Sequence, residues 1–274
     1  NKKSLNCLDY ETSLINRFSS LSKFNQRMVI DFANGSLSFI GPKLLEKLNL
    51  DFKKYSFNPT GKNINNSCGA MYPEFISEKT KFNKAKLGIS FDGDADRVIF
   101  CDENGEIIDG DLILAILVMY LKKNDQLKNN IVVNTQMSNL GFRDFLNKKK
   151  IKYILSEVGD RYVIEEMKRN DCIIGGEPSG HIIFSENSYC GDGLYTALLI
   201  IEILQMTNSS YVTTESGGRQ NMFPTETRPY IDESVSYEGY PQNAEKVNGR
   251  WAMIGFIALL GAYITTGQII PGIF

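Results

Sequence analysis

Apolar positions recur along this chain in two alternating rhythms. The stretch "RMVIDFANGS" holds Met28, Val29, Ile30 and Phe32 in a short apolar run broken by Asp31 and ends in an Asn34-Gly35 turn, which predicts a strand over 28–32. "GPKLLEKLNL" follows with Leu44, Leu45 and Leu48 at helical spacing, the apolar side of a helix. "AKLGISF" reads as another strand, "RVIFCDENGEIID" as a hairpin about Asn104-Gly105, and "GDLILAILVMYLKK" as a strongly apolar helix with Asp111 as its cap. The rhythm then restarts. "NNIVVNT", "KYILSE" and "DCIIGGE" are strands, "NLGFRDFLNKKK" and "RYVIEEMKRN" are helices, and "GDGLYTALLIIEILQM" closes the series with a helix capped near Asp192. Strands and helices alternating in this way predict two consecutive α/β units with parallel sheets.

The pattern breaks after residue 208. "TNSSYVTTESGGRQ" is polar, glycine-rich and aperiodic, a linker, and "NMFPTETRPYIDESVSYEGYPQ" is an irregular arm with no sustained period. Residues 251–274 then contain no charged residue, a length that suits a single transmembrane helix, with Pro271 ending it; a buried core helix is the other reading. The chain thus divides into 1–109, 110–208 and 209–274.

Composition narrows the classes. Over 274 residues, 42% hydrophobic and 23% charged describe an ordinary folded chain. A net charge of -2 gives no basic footprint, so no nucleic-acid partner is expected. The cysteines Cys7, Cys68, Cys101, Cys172 and Cys190 form no CxxC pair, which suits reduced thiols better than a disulfide framework or a zinc site.

The densest chemistry is "FDGDADR". Asp92, Asp94 and Asp96 alternate directly after a strand, so an extended chain would turn all three carboxylates to one side. Like charges so close raise one another's pKa unless a cation sits among them, and Mg²⁺ prefers hard oxygen ligands of this kind. A solvated acidic turn offset by Arg97 alone is the other reading. A calcium loop is excluded, because Arg97 stands where its sharp turn needs glycine and a strand follows at once. Further on, "GGEPSGH" sets Glu177, Ser179 and His181 on a glycine-rich turn, a mixed donor and acceptor set of the sort a sugar requires. His181, the single histidine, is open to a packed role, as "VGDRYV" is to being an ordinary helix start capped by Asp160 with Arg161 solvated.

"FDGDADR", "VGDRYV" and "GGEPSGH" occur in the order and spacing of the α-D-phosphohexomutases, which the chain resembles from about residue 27 to 206. "GKNINNSCG" and "VGDRYV" are similar to the phosphoglucosamine mutase branch, although "GAMYPE" at 69–74 departs from it and leaves Ala70, Met71 and Tyr72 unassigned. The resemblance implies that 1–109 and 110–208 are the second and third domains of that family. It further implies that Asp92, Asp94 and Asp96 hold Mg²⁺, that Arg97 positions phosphate, and that Glu177, Ser179 and His181 bind a hexosamine phosphate. The family's serine loop, of Thr-x-Ser-His-Asn-Pro type, and its Arg-x-Ser-Gly-Thr phosphate loop are not in this sequence. Without the phosphoserine no turnover is expected, and interconversion of glucosamine 6-phosphate and glucosamine 1-phosphate would need complementing domains.

"AEKVNGRWAMIGFIALLG" resembles the helix of high-light-inducible proteins, one-helix members of the chlorophyll a/b-binding superfamily, and the resemblance runs over about 213–274. It implies that Glu245, Asn248 and Arg250 bind chlorophyll a, with carotenoid as a further pigment, in a homo- or heterodimer formed through the helix. Gly249, Ala252, Gly255, Ala258 and Gly261 recur every third position and would allow close helix approach. A thylakoid-type membrane location follows as an expectation, with the N-terminal domains on the cytosolic side and photosynthetic membrane complexes as partners. A simple tail anchor is the plainer reading of the same stretch. Two resemblances in one chain leave open a natural composite and a join made in gene prediction or assembly.

Overall fold

A computed structural model describes residues 7–210 together with the strand pairs 213–214 and 220–221. The first sheet has the order β2-β1-β3-β4-β5, from β1 (Met28–Asp31), β2 (Phe52–Tyr55), β3 (Leu87–Phe91), β4 (Val98–Asp102) and β5 (Ile107–Ile108). The second has the order β7-β6-β8-β9, from β6 (Ile131–Thr135), β7 (Lys152–Ser156), β8 (Ile174–Gly176) and β9 (Ile182–Phe184). Strands β1, β3 and β4 are buried at every position, because helices cover both faces and leave no solvated side.

Alternation along a strand sorts side chains between those helices. Met28 and Ile30 share a core with Leu44, Leu45 and Leu48, beside or within α2 (Leu37–Lys47), whereas Val29 packs with Ile76 of α3 (Pro73–Asn83) and Cys101. The second sheet repeats the device. Val132 joins the main core with Phe142, Phe145 and Leu146 of α5 (Leu140–Lys148), while Val133 packs on Val163 and Met167 of α6 (Asp160–Arg169). The main core is continuous across both units through α4 (Gly110–Lys123) and α7 (Gly193–Ser210). α1 (Cys7–Arg17) is joined to α7 by Arg17, whose two terminal nitrogens each lie 2.9 Å from a carboxylate oxygen of buried Glu202.

Several expectations are corrected. The sheets are mixed: β1 pairs in parallel with β2 and β3, and β6 with β7 and β8, but β4, β5 and β9 run antiparallel to their neighbours. The loop 92–97 is far shorter than the roughly dozen residues a parallel crossover needs, so β4 has to return alongside β3. Helix α4 is capped by Asp109, whose carboxylate accepts the Leu112 N–H at 3.0 Å, not by Asp111. Asp111 lies buried in the first turn and accepts the Asn139 N–H at 2.7 Å. The linker at 207–220 begins as helix, since α7 runs to Ser210, and a short antiparallel ladder joins β10 (Thr213–Thr214) to β11 (Gln220–Asn221).

The expected thylakoid-type location is corrected as well. Among the described residues no helix is long and apolar enough to cross a membrane. Residues 251–274, on which that expectation rested, lie outside the described residues, as do Glu245, Asn248 and Arg250.

Candidate functional site

Both loops singled out from the sequence leave the carboxyl end of a parallel strand, the end where open α/β sheets collect ligands. Asp92 follows β3 and Glu177 follows β8. A turn closed by the Ala95 N–H on the Asp92 carbonyl, at 3.2 Å, brings one carboxylate oxygen each of Asp92, Asp94 and Asp96 within 4.8 Å of one another. Asp92 is buried, Asp96 half-buried and Asp94 exposed, so the cluster opens outward through Asp94.

Charge in this turn is unbalanced. The Arg97 Nε stands 3.8 Å from Asp92 and 3.7 Å from Asp96, beyond hydrogen-bond reach of either carboxylate. Burial, with the neighbouring Asp96 carboxylate adding to it, pushes the Asp92 carboxyl up to about 7, against the stabilising N–H of Arg97 at 3.1 Å. Asp96 Oδ1 and Arg97 Nε are both buried without a hydrogen-bond partner. Carboxylate oxygens about 3 to 4 Å apart are what an octahedral Mg²⁺ needs, and an orphaned buried oxygen beside a protonation-prone carboxyl marks the place where that charge belongs. The residues therefore fit the ion.

The second loop is docked onto the first. Val98 N–H donates to the Gly180 carbonyl at 3.1 Å, and Arg97 pairs with His181 as an isolated antiparallel bridge. Gly180 is needed there: its φ is +87, and a Cβ would lie 2.2 Å from the Val98 oxygen. Glu177 accepts the Gly159 N–H at 2.9 Å on one oxygen and lies 3.3 Å from the Ser179 hydroxyl on the other, which fixes its carboxylate from two sides. His181 is buried. Its Nδ1 faces Asp96 Oδ2 at 3.1 Å, and its Nε2 has no partner. Glu177 and Ser179 are half-buried at the mouth, so the loop offers a carboxylate and a hydroxyl outward and an imidazole inward.

Other residues build the surroundings without having been singled out from the sequence. Asp31, fully buried, accepts the N–H groups of Ala33 at 3.0 Å and Gly69 at 2.6 Å and the Ser90 hydroxyl at 3.0 Å, tying the end of β1 to β3 and to the segment before Met71. Burial raises its pKa against those bonds. Met71 then places its sulfur 3.6 Å from Arg97 Nη1. A buried aspartate at a strand end is a weak signal in sequence, since it reads equally well as an ordinary turn residue.

The architecture is therefore two consecutive α/β units with a three-carboxylate loop docked on a Glu-Pro-Ser-Gly-His loop. Residues 9–105 match the family model of phosphoglucomutase/phosphomannomutase α/β/α domain II, and residues 109–215 match domain III. Across these residues the chain belongs to the phosphoglucomutase/phosphomannomutase family. It is similar to the phosphoglucosamine mutase of Staphylococcus aureus strain JH9, at 42% identity over 198 residues, which are 72% of this chain and 44% of that protein. Among solved structures, a phosphoglucomutase/phosphomannomutase family protein from Burkholderia thailandensis superposes with a TM-score of 0.62 at 23% identity, covering 72% of this chain and 44% of that one. Aspergillus fumigatus N-acetylphosphoglucosamine mutase gives 0.58 at 22%, over 71% and 46%. The chain thus spans less than half the length of these relatives. Residues 213–274 match the family model of the high light-inducible protein HliA, which makes the chain a composite.

Proposed function

We propose that residues 7–210 are the metal-binding and sugar-binding half of a phosphoglucosamine mutase-like centre. The observation that carries this reading is the docking of the two loops, Val98 N–H on the Gly180 carbonyl, which sets Asp92, Asp94 and Asp96 beside Glu177, Ser179 and His181. Asp92, Asp94 and Asp96 hold Mg²⁺, which when bound supplies neutralising charge to a phosphoryl group in transfer. Arg97, turned toward this cluster, holds a phosphate by its guanidinium fork. Glu177 accepts and Ser179 donates hydrogen bonds to a hexosamine phosphate, and Gly159 keeps Glu177 from turning away.

Turnover needs a phosphoryl donor and acceptor, which the part of the relatives' length outside this match would supply. The chain alone binds metal and sugar phosphate without interconverting glucosamine 6-phosphate and glucosamine 1-phosphate. Calorimetric titration with Mg²⁺ and then with glucosamine 6-phosphate tests the binding. Heats that persist unchanged in Asp94→Ala would reject it, and turnover by the chain alone would reject the division of labour.

A second reading is supported by the match at 213–274 and concerns those residues alone. There Glu245, Asn248 and Arg250 bind chlorophyll a, in a dimer with another copy or a related one-helix chain. Chlorophyll per chain, compared between wild type and Arg250→Leu purified from pigment-containing cells, tests it; equal pigment in both, or none in wild type, rejects it. Peptides from both sides of residue 210 in one native polypeptide would establish that the two activities travel together.

A further inference from the structure

Ala95 stands between two of the clustered carboxylates with φ of +68, a left-handed conformation that any residue with a Cβ avoids. Such a conformation persists where surrounding contacts impose it. The contact in question comes from a distant part of the chain: the Gly193 N–H, at the start of α7, donates to the Ala95 carbonyl at 2.9 Å. The segment 191–193 is pressed against three successive carbonyls of the loop. A Cβ on Gly193 would lie 2.7 Å from the Arg97 oxygen and 3.0 Å from that of Ala95, and one on Gly191 would lie 2.4 Å from the Asp96 oxygen and 2.6 Å from the His181 ring. The metal loop is therefore moulded on this segment as well as on its own turn.

Asp192 lies in the middle of that segment, and its side chain faces away toward α1. Its Oδ1 accepts the Tyr195 N–H at 2.8 Å, which caps α7, and the Tyr10 hydroxyl reaches both carboxylate oxygens at 2.9 Å. Helix α1 is held on α7 independently, by Arg17 on Glu202 and by the edge contact of Phe18 with Tyr195 at 5.5 Å. The Tyr10 hydroxyl thus adds little that docking requires. It meets both carboxylate oxygens of Asp192, one residue before the N–H that Gly193 donates to Ala95.

We propose that Tyr10 is a positioning residue for the Asp92–Asp96 loop, acting through Asp192 and the Gly193 N–H on the Ala95 carbonyl. The consequence for cation affinity rests on the metal reading given under Proposed function. A residue from the first helix of the chain would then tune a site more than 80 positions away without touching it.

The test compares full-length wild type, Tyr10→Phe, Arg17→Met and Asp94→Ala by two readouts, Mn²⁺ affinity by electron paramagnetic resonance and hydrogen exchange of the Gly193 amide without metal. Tyr10→Phe keeps the ring, so its thermal midpoint should stay near wild type while the Mn²⁺ Kd rises about 10-fold, the range for loss of an outer-shell partner. Its Gly193 amide should exchange at least several-fold faster. Arg17→Met should lower the midpoint and leave Mn²⁺ affinity alone. Wild-type affinity and exchange in Tyr10→Phe, or equal loss of affinity in both variants, would overturn the proposal. If wild type binds no Mn²⁺, the metal reading fails by itself; faster Gly193 exchange in Tyr10→Phe would still uphold the positioning, and unchanged exchange would overturn it.

Discussion

His181 Nδ1 lies 3.1 Å from Asp96 Oδ2, so the Glu-Pro-Ser-Gly-His loop of the second unit meets the three-carboxylate loop of the first at close range. A carboxylate oxygen faced this way is oriented before any ion arrives, as outer-shell partners orient metal ligands generally. His181→Ala should therefore weaken Mg²⁺ binding by about 10-fold as well as weakening sugar phosphate binding. Separate titrations of the two ligands check this, and unchanged metal affinity would show that the two loops act independently.

Asp94 offers its carboxylate from an exposed position, whereas Asp92 and Asp96 are partly enclosed. Asp94→Ala should abolish metal binding while changing stability by no more than about 0.5 kcal/mol, the usual range for an exposed substitution. Denaturant midpoints measured with chelator would decide; a large loss of stability would mean that Asp94 has a structural role instead.

Without metal, Asp92 is a liability whose size depends on pH. Its folded pKa of about 7 lies above the ordinary 3.8, so the folded state binds this proton more tightly than the unfolded one. That contribution favours folding fully below pH 3.8 and is lost as pH rises through 7. Asp92→Asn in chelator should accordingly stabilise the protein by about 1–3 kcal/mol at pH 8, with the advantage shrinking toward pH 4. Thermal midpoints across that range read the difference, and a pH-independent gap between the two proteins would contradict it.

Arg17 and Glu202 form a two-pronged pair whose acid is buried and whose base is half-exposed. Removing the base strands the carboxylate, so Arg17→Met should cost about 1–3 kcal/mol, solvent at Arg17 keeping it below the cost of a fully buried pair. The double variant Arg17→Met, Glu202→Leu should recover most of that loss. Denaturation midpoints for the two proteins check the ordering.

Gly180 has no room for a side chain where the loops meet. Gly180→Ala should cost about 2–4 kcal/mol through its positive φ and its approach to the Val98 carbonyl. It should also reduce metal and sugar phosphate binding together, since it parts the loops. Retention of both binding activities in a folded variant would show that the docking is dispensable.

What the sequence determined was local. The spacing of Asp92, Asp94 and Asp96 directly after a strand marked the cluster, but the chain there is not extended: a turn with Ala95 at positive φ, on which the Gly193 N–H closes, is what brings the three carboxylates together. The glycine-rich turn at 175–181 was legible from its own residues, as were the long apolar helices. Helix α3 is not legible in the sequence, because its polar exterior leaves Ile76 as its fully buried apolar side chain, with Ser77 and Thr80 beside it, too weak a stripe to show a period. Asp111 and Asp109 both qualify as caps by residue type, and what separated them was the Asn139 N–H, which claims Asp111 from another loop. The docking of Gly180 on Val98, the approach of His181 to Asp96, and the reach of Tyr10 to Asp192 across 182 positions belong to tertiary structure. No sequence pattern could carry them, because each depends on how strands and helices far apart in the chain come to share one core, and that is settled by burial of the whole apolar surface rather than by any stretch of it.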